Sequence, residues 1–284
     1  MALEYTPTQA LQWLEDVWTP EIELAAYEEM RVEPFFRSLG KTGATIHLRK
    51  HANLARVAPL VGTSLVDTLI YSGAVEVDVE ASPVTHYVAV AINLNTIARM
   101  MQNPQDTFRR SIEMSLGEGV DVECAKKFDD LVAVVGGVGQ NITEATFLDA
   151  IVSLAEMAKG EFKPGTTKAV FVIHPRQIDD VIDSTKGWSQ YQIRGDQGSP
   201  VSKGWLSSAY GVDFIESGNI QNIGALFHNG LFIPQKTFGI GYNQVPTVKM
   251  DSRNLGNLVI GMVDFAVMTA WDVYGVDYQT QTVA

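Results

Sequence analysis

"LSSAYGVDFIESGNIQNIGALFHNGLFIP", Leu206–Pro234, is the stretch from which the rest of the chain is read. Two short apolar runs, Val212–Ile215 and Ala225–Phe227, are hemmed in by glycine, serine and asparagine. A third run, Leu231–Phe232–Ile233, follows His228-Asn229-Gly230, which reads as a turn. Short apolar runs bounded by such residues predict strands. No metal-ligand spacing, phosphate loop or nucleophile motif lies among them. The stretch specifies a shape and carries no visible chemistry.

Just upstream, "KAVFVIHP" (Lys168–Pro175) reads as a buried strand running into a helix started by Pro175 and continuing to Asp183. Before it, Thr143 caps a helix over "EATFLDAIVSLAEMAK" that ends at Gly160. Further back lies the clearest helix. Asn103 can cap it, Pro104 suits its first position, and Phe108, Ile112, Leu116, Val120, Cys124 and Phe128 recur every fourth residue. "VVGGVGQN" then breaks it. Residues 134–234 thus read as a mixed α/β unit, and the chain after Phe238 is β-rich again, with one or two long strands in Asn257–Thr280. Towards the N-terminus the period is two: Thr45–His51, Val75–Glu80 and Val84–Ile92 read as long half-exposed strands of an extended loop. Residues 1–39 read as an arm with short helical pieces, Leu11, Leu14 and Trp18 being spaced for one of them. No internal repeat or low-complexity linker is evident.

Composition narrows the function classes. The chain has 284 residues, room for a well-buried core in one large or two ordinary domains. Lys and Arg number 21 against 33 Asp and Glu, so the formal net charge is −12, which argues against a dedicated nucleic-acid binder. A single cysteine, Cys124, cannot form an internal disulfide, and the N-terminus has neither the basic nor the apolar region of a secretory signal. No run approaches the ~18 apolar residues of a membrane span. The expectation is a soluble chain made in a reducing compartment, with no membrane partner.

The motifs that invite a chemical reading fail on spacing. "GKT" at Gly40–Thr42 lacks the earlier glycine of a phosphate loop, Phe35 standing there. "GGVGQN" (Gly136–Asn141) lacks the third glycine of a dinucleotide fingerprint and follows a helix. His47 and His51 have helical ligand spacing on a predicted strand, with no acid evident nearby, and read as exposed loop histidines. His174 and His228 sit at strand ends without a Ser, Cys or Asp in register. Asn141-Ile142-Thr143 matches a glycosylation sequon with nothing to route the chain to that machinery. No catalytic, cofactor or metal site is predicted.

The order arm, extended β-loop, long helix, α/β unit and β-rich return resembles the major capsid proteins of tailed bacteriophages, the Hong Kong 97-type fold. "KGWLSSAYGVDFIESGNI", "GALFHNGLFIPQKT" and "AVFVIHPRQIDDVIDS" carry the resemblance, which extends from about Thr42 to Tyr278. It implies an α+β capsid fold and a non-enzymatic shell subunit. Residues 1–42 would be the N-terminal arm and 43–92 the extended loop lying over a neighbouring subunit. Residues 93–133 would be the peripheral domain with its spine helix, 134–235 the axial domain, and 236–284 the C-terminal strands completing the peripheral sheet. The loop's Val75, Val77 and Val79 would cover apolar surface next door, and Arg49, Lys50 and Arg56 would face acidic patches there. Gly117 and Gly119, in the middle of the spine helix, either form a hinge or let a neighbouring strand pack closely.

The implied partners are copies of the chain, as pentamers and hexamers, and packaged double-stranded DNA held without sequence-specific contacts. A portal is implied too. Because the chain runs from Met1 straight into the arm, the scaffolding protein is expected to be a separate chain. The implied location is the virion, with assembly in the host cytoplasm. Two other readings stay open: an encapsulin-type compartment shell of the same fold, and a cytosolic α/β enzyme binding a small ligand within 134–234.

Overall fold

The computed structural model describes residues 30–41, 45–51, 76–93, 104–182, 208–223, 225–253 and 256–281. In chain order these hold β1 (Arg37–Lys41), β2 (Ile46–His51), β3 (Glu76–Ala81), β4 (Val84–Asn93) and helix α1 (Pro104–Ala125). β5 (Ala133–Gly136), α2 (Glu144–Ala158), β6 (Ala169–Ile173) and the short α3 (Ile178–Ile182) follow. The remainder is strand: β7 (Ser208–Ala209), β8 (Val212–Glu216), β9 (Asn222–Ile223), β10 (Leu226–Phe232), β11 (Phe238–Arg253), β12 (Gly256–Thr269) and β13 (Gly275–Gln281).

A four-stranded sheet of order β1-β11-β12-β4 carries α1. The long strands β11 and β12 form an antiparallel hairpin, and β1 joins β11 in parallel. Ile112, Leu116, Val120 and Cys124, the predicted stripe, are buried against this sheet's Val248, Val259, Val263 and Phe265. Close approach requires a glycine beneath the helix, because a Cβ at Gly261 would collide with Ile112. Within this sheet lies the first correction to the sequence reading. Val84–Ile92 does not belong to a projecting loop: β4 pairs with β12 from Val84↔Phe265 to Asn93↔Gly256. Its alternation is real, with Val88 and Val90 packed on the core, but the burying surface is this subunit's own. Among the described residues, what remains of the loop is the two-stranded β2–β3 hairpin.

A seven-stranded sheet of order β5-β13-β10-β6-β8-β7, with β9 on β10, carries α2. Thr143 caps α2 as expected, its side chain accepting from the Thr146 N–H, and Lys159 leaves the helix in the left-handed region before Gly160. Phe147 meets Phe171 and Phe214 at centroid distances of 5.2 and 5.3 Å, and Phe171 meets Tyr278 edge-on at 5.4 Å. Two further corrections arise here. His228-Asn229-Gly230 is not a turn but the middle of β10, which pairs residue for residue with β13 from Leu226↔Gln281 to Phe232↔Gly275. The seven-residue register outweighs the local turn signal, and Gly230 is needed because a Cβ there would lie 2.6 Å from the Phe128 ring. The strands after residue 236 also divide: β11 and β12 serve the first sheet, whereas β13 enters the second.

The predicted arm lies mainly outside the described residues. Its end, however, is part of the body: Met30, Val32 and Phe36 are buried, and β1 lies in the sheet. This segment is held by Asp121, fully buried on α1, whose carboxylate accepts from the backbone N–H groups of Arg31 (2.7 Å), Val32 (3.1 Å) and Glu33 (3.3 Å). Burial pushes the Asp121 carboxyl above its usual range although the N–H donors pull it down. Glu33 is also raised, first by burial; the Tyr242 hydroxyl lowers it and nearby Asp121 raises it.

Two outcomes follow for this junction. Asp121→Ala leaves the N–H donors unpaired and is expected to cost about 2–5 kcal/mol of stability, measured by denaturant unfolding. Glu33 binds its proton more tightly folded than unfolded. Its contribution is therefore fully present below its unfolded pKa and lost as pH rises through the raised folded value. Glu33→Gln should accordingly gain stability relative to the parent as pH rises from the ordinary carboxylate range through the raised folded value, followed by denaturant unfolding across that range.

Candidate functional site

Among the described residues, three surfaces are left open by the subunit's own packing. The first is the β2–β3 hairpin. Its base is anchored where Ile46 packs with Ala266 and Met268 of β12, with Leu48 and Ala81 beside them. Beyond that base, among the described residues, no other strand pairs with it. Of the predicted loop residues, Val75 and Arg56 lie outside the described residues. The register sets Val79 opposite Leu48, Val77 opposite Lys50, and Arg49 opposite Asp78. Arg49 thus stands across from an acid on its own hairpin. His47 corrects the sequence reading as well, since acids do lie beside it: Asp78 at 3.3 Å and Glu80 at 3.2 Å.

A cleft of about 430 Å³ opens between the hairpin, the start of β4 and the end of α1, lined by Glu80, Val84, Lys127 and Met268 among others. His86 stacks on Phe265 at 5.1 Å beside it, and its buried Nε2 has no hydrogen-bond partner among the described residues. The second surface is the outer edge of β4, with Tyr87 71% and Val84 58% exposed. Among the described residues, no strand pairs on that side. An open sheet edge with apolar side chains on it is a ready template for a further chain.

The third surface is the exposed face of α1, which runs unbroken from Pro104 to Ala125. Gly117 is buried and Gly119 half-buried. A Cβ at Gly119 would meet nothing within 4 Å, so close packing does not account for that glycine.

Sequence reasoning missed a polar cluster between the two sheets. His228 is not at a strand end and does not lack a partner. Its Nδ1 lies 2.9 Å from Asp277 Oδ2 and 3.5 Å from Asp129 Oδ1, and Gln279 Nε2 donates to Asp277 Oδ2 at 2.8 Å. Asp277 alternates with the apolar Val276 and Tyr278 and so reads as a solvent-facing strand acid, which left no signal for the cluster. Burial raises the Asp277 carboxyl above its ordinary range; Gln279 and His228 lower it, and Asp129 adds to the rise. His174 stacks on Phe227 at 4.5 Å, and burial, with Arg176 nearby, lowers its pKa. Among the described residues no Ser or Cys hydroxyl or thiol is hydrogen-bonded to either histidine. No helix among them is long and apolar enough to cross a membrane.

No protein-family model matches the chain, and no curated protein does. Solved structures do. A chain of the cyanophage Pam1 capsid superposes with a TM-score of 0.67 at 13% identity, covering 89% of this chain and 92% of its own. The bacteriophage PhiM1 mature capsid gives 0.66 at 10%, covering 88% and 87%. A virus-like particle from Pyrococcus furiosus gives 0.61 at 7%, covering 92% and 97%. The fold is the Hong Kong 97-type capsid fold. The likeness spans nearly the whole of both chains in each comparison.

The glycines of this fold should respond in opposite directions. Gly119→Ala fills open space in a helix interior and is expected to stabilise by about 0.5–1 kcal/mol. Gly230→Ala drives a methyl into the Phe128 ring and is expected to destabilise by about 1–3 kcal/mol. Thermal unfolding of the two variants measures both.

Proposed function

We propose that the chain is the major capsid protein of a tailed phage, assembling into the icosahedral head shell that encloses the DNA. The observation that carries the reading is the match of nearly the whole chain to subunits of phage capsids, with about nine-tenths of both chains covered against Pam1. The role is structural, and the location is the virion.

Closed shells need heterologous contacts in which one surface fits a different surface of the neighbour. The hairpin and the β4 edge suit this. A two-stranded projection is marginal alone and gains from burying its exposed side on another subunit. In this proposal residues 43–81, rather than 43–92, form the reaching loop, and residues 93–133 and 134–235 serve as peripheral and axial domains of pentamers and hexamers. Arg49, Lys50 and Arg56 contact acidic surface next door, with Val75, Val77 and Val79 on the apolar side. The net charge of −12 lets packaged DNA move along the inner wall without sticking. A separate scaffolding protein and a portal complete assembly in the host cytoplasm. Gly117 and Gly119 give α1 a pliant point for a change of shell diameter.

Co-expression with its scaffold should yield closed icosahedral particles by electron microscopy, enclosing double-stranded DNA when isolated from phage-producing cells. Enzyme cargo in place of DNA would indicate the encapsulin-type shell. Monomers or dimers alone, across protein and salt concentrations, would count against both. Arg49→Glu with Lys50→Glu should leave the circular dichroism of the subunit unchanged and block shell formation; normal shells would remove these residues from the contact.

A further inference from the structure

We propose that Asp129, His228 and Asp277 form a binding site for a divalent transition-metal ion, zinc being the best match to the donor set. The residues come from separate elements. Asp129 follows the 3₁₀ turn Lys126–Phe128 at the end of α1, His228 lies in β10, and Asp277 lies in β13. The β10–β13 register pairs Gly230 with Asp277 and His228 with Gln279. Alternation therefore puts His228, Asp277 and Gln279 on one sheet face, the face that Gly230 opens to Phe128. Asp129, next to Phe128 in sequence, reaches the same spot.

One ligand atom from each of the three residues lies within 4.8 Å of the others. The His228 Nδ1 distances to the carboxylates are 2.9 and 3.5 Å. Tetrahedral zinc with bonds of about 2.0 Å would set neighbouring ligand atoms roughly 3.3 Å apart, between those two values. Two carboxylates with a neutral imidazole carry the charge that a divalent cation cancels. An imidazole among so few oxygens disfavours calcium and magnesium, which take six or more oxygen ligands.

The arrangement is not self-sufficient as a hydrogen-bonded cluster. Asp277 is only 1% exposed; its Oδ2 meets His228 and Gln279, yet its Oδ1 has no hydrogen-bond partner among the described residues. A buried carboxylate oxygen without a donor, in a site shared with a second carboxylate, is costly unless a cation satisfies it. The Asp129 side chain is 53% exposed, which gives the ion a route in and leaves room for water as the fourth ligand. His47, Asp78 and Glu80 form a comparable triplet, but their side chains are 52%, 46% and 60% exposed and water solvates them. That triplet serves as the control.

A bound ion would tie the end of α1 to β10 and β13, joining the helix of one sheet to the strands of the other. The test is titration of the full chain, stripped with chelator, with zinc ions by calorimetry. The parent, Asp129→Asn and His47→Gln are compared, and circular dichroism confirms that each is folded. The expected result is one saturable zinc per chain, weakened at least about tenfold in Asp129→Asn and unchanged in His47→Gln. Zinc should raise the melting midpoint of the parent and of His47→Gln by more than that of Asp129→Asn at the same concentration. Absence of saturable binding, retention of parental affinity in Asp129→Asn, or dependence on His47 would each overturn the assignment.

Discussion

Four aromatic rings hold the two halves of this subunit together. Phe36 stacks on Phe238 at 4.8 Å and meets Phe232 edge-on at 6.0 Å; Phe128 lies 5.7 Å from Phe232 and 5.8 Å from Phe238. Each ring comes from a different part of the chain: the N-terminal segment, the turn after α1, β10 and the start of β11. Such pairs contribute about 0.5–1.5 kcal/mol each beyond the burial of their area. β10 is the shared wall. Its Phe232 belongs to the core under α1, and its neighbour Leu231 belongs to the core under α2. Gly230 admits the Phe128 ring, Asp121 pins the segment bearing Phe36, and the polar cluster of Asp129, His228 and Asp277 sits on the same junction.

With the centre fixed in this way, the unsatisfied surfaces lie at the periphery of the first sheet. Among the described residues, β4 has a free edge, and the β2–β3 hairpin is anchored only at its base. The hairpin's register also sets Arg49 opposite Asp78 and His47 opposite Glu80. A body rigid at its core and incomplete at its rim fits a molecule whose neighbours finish the fold.

How much of this was legible in the sequence depended on whether local signals and long-range pairing agreed. They agreed in α2, where Thr143, the apolar spacing and Gly160 all point to one helix, and in α1, whose stripe is the buried one. They disagreed at His228-Asn229-Gly230, a turn by composition that is extended because β13 pairs along its whole length. β4 misled for another reason. An edge strand alternates in the same way whether its inner side faces its own core or a neighbour, so periodicity alone could not assign Val88 and Val90 to this body. Asp121 and Asp277 were invisible as structural acids. An acid in a helix or strand reads as solvent-facing, and the partners of Asp121 are backbone groups about ninety residues away in the chain.

The central claim is that neighbouring subunits complete the rim while the aromatic centre is already complete in the single chain. Amide hydrogen exchange, compared between dispersed subunits and assembled particles, tests it most directly. The account predicts that amides of β2, β3 and β4 gain strong protection on assembly, whereas those of β6, β10 and β13 are equally protected in both states. Unchanged exchange along the hairpin and the β4 edge, or a central sheet that becomes protected only in the particle, would contradict it.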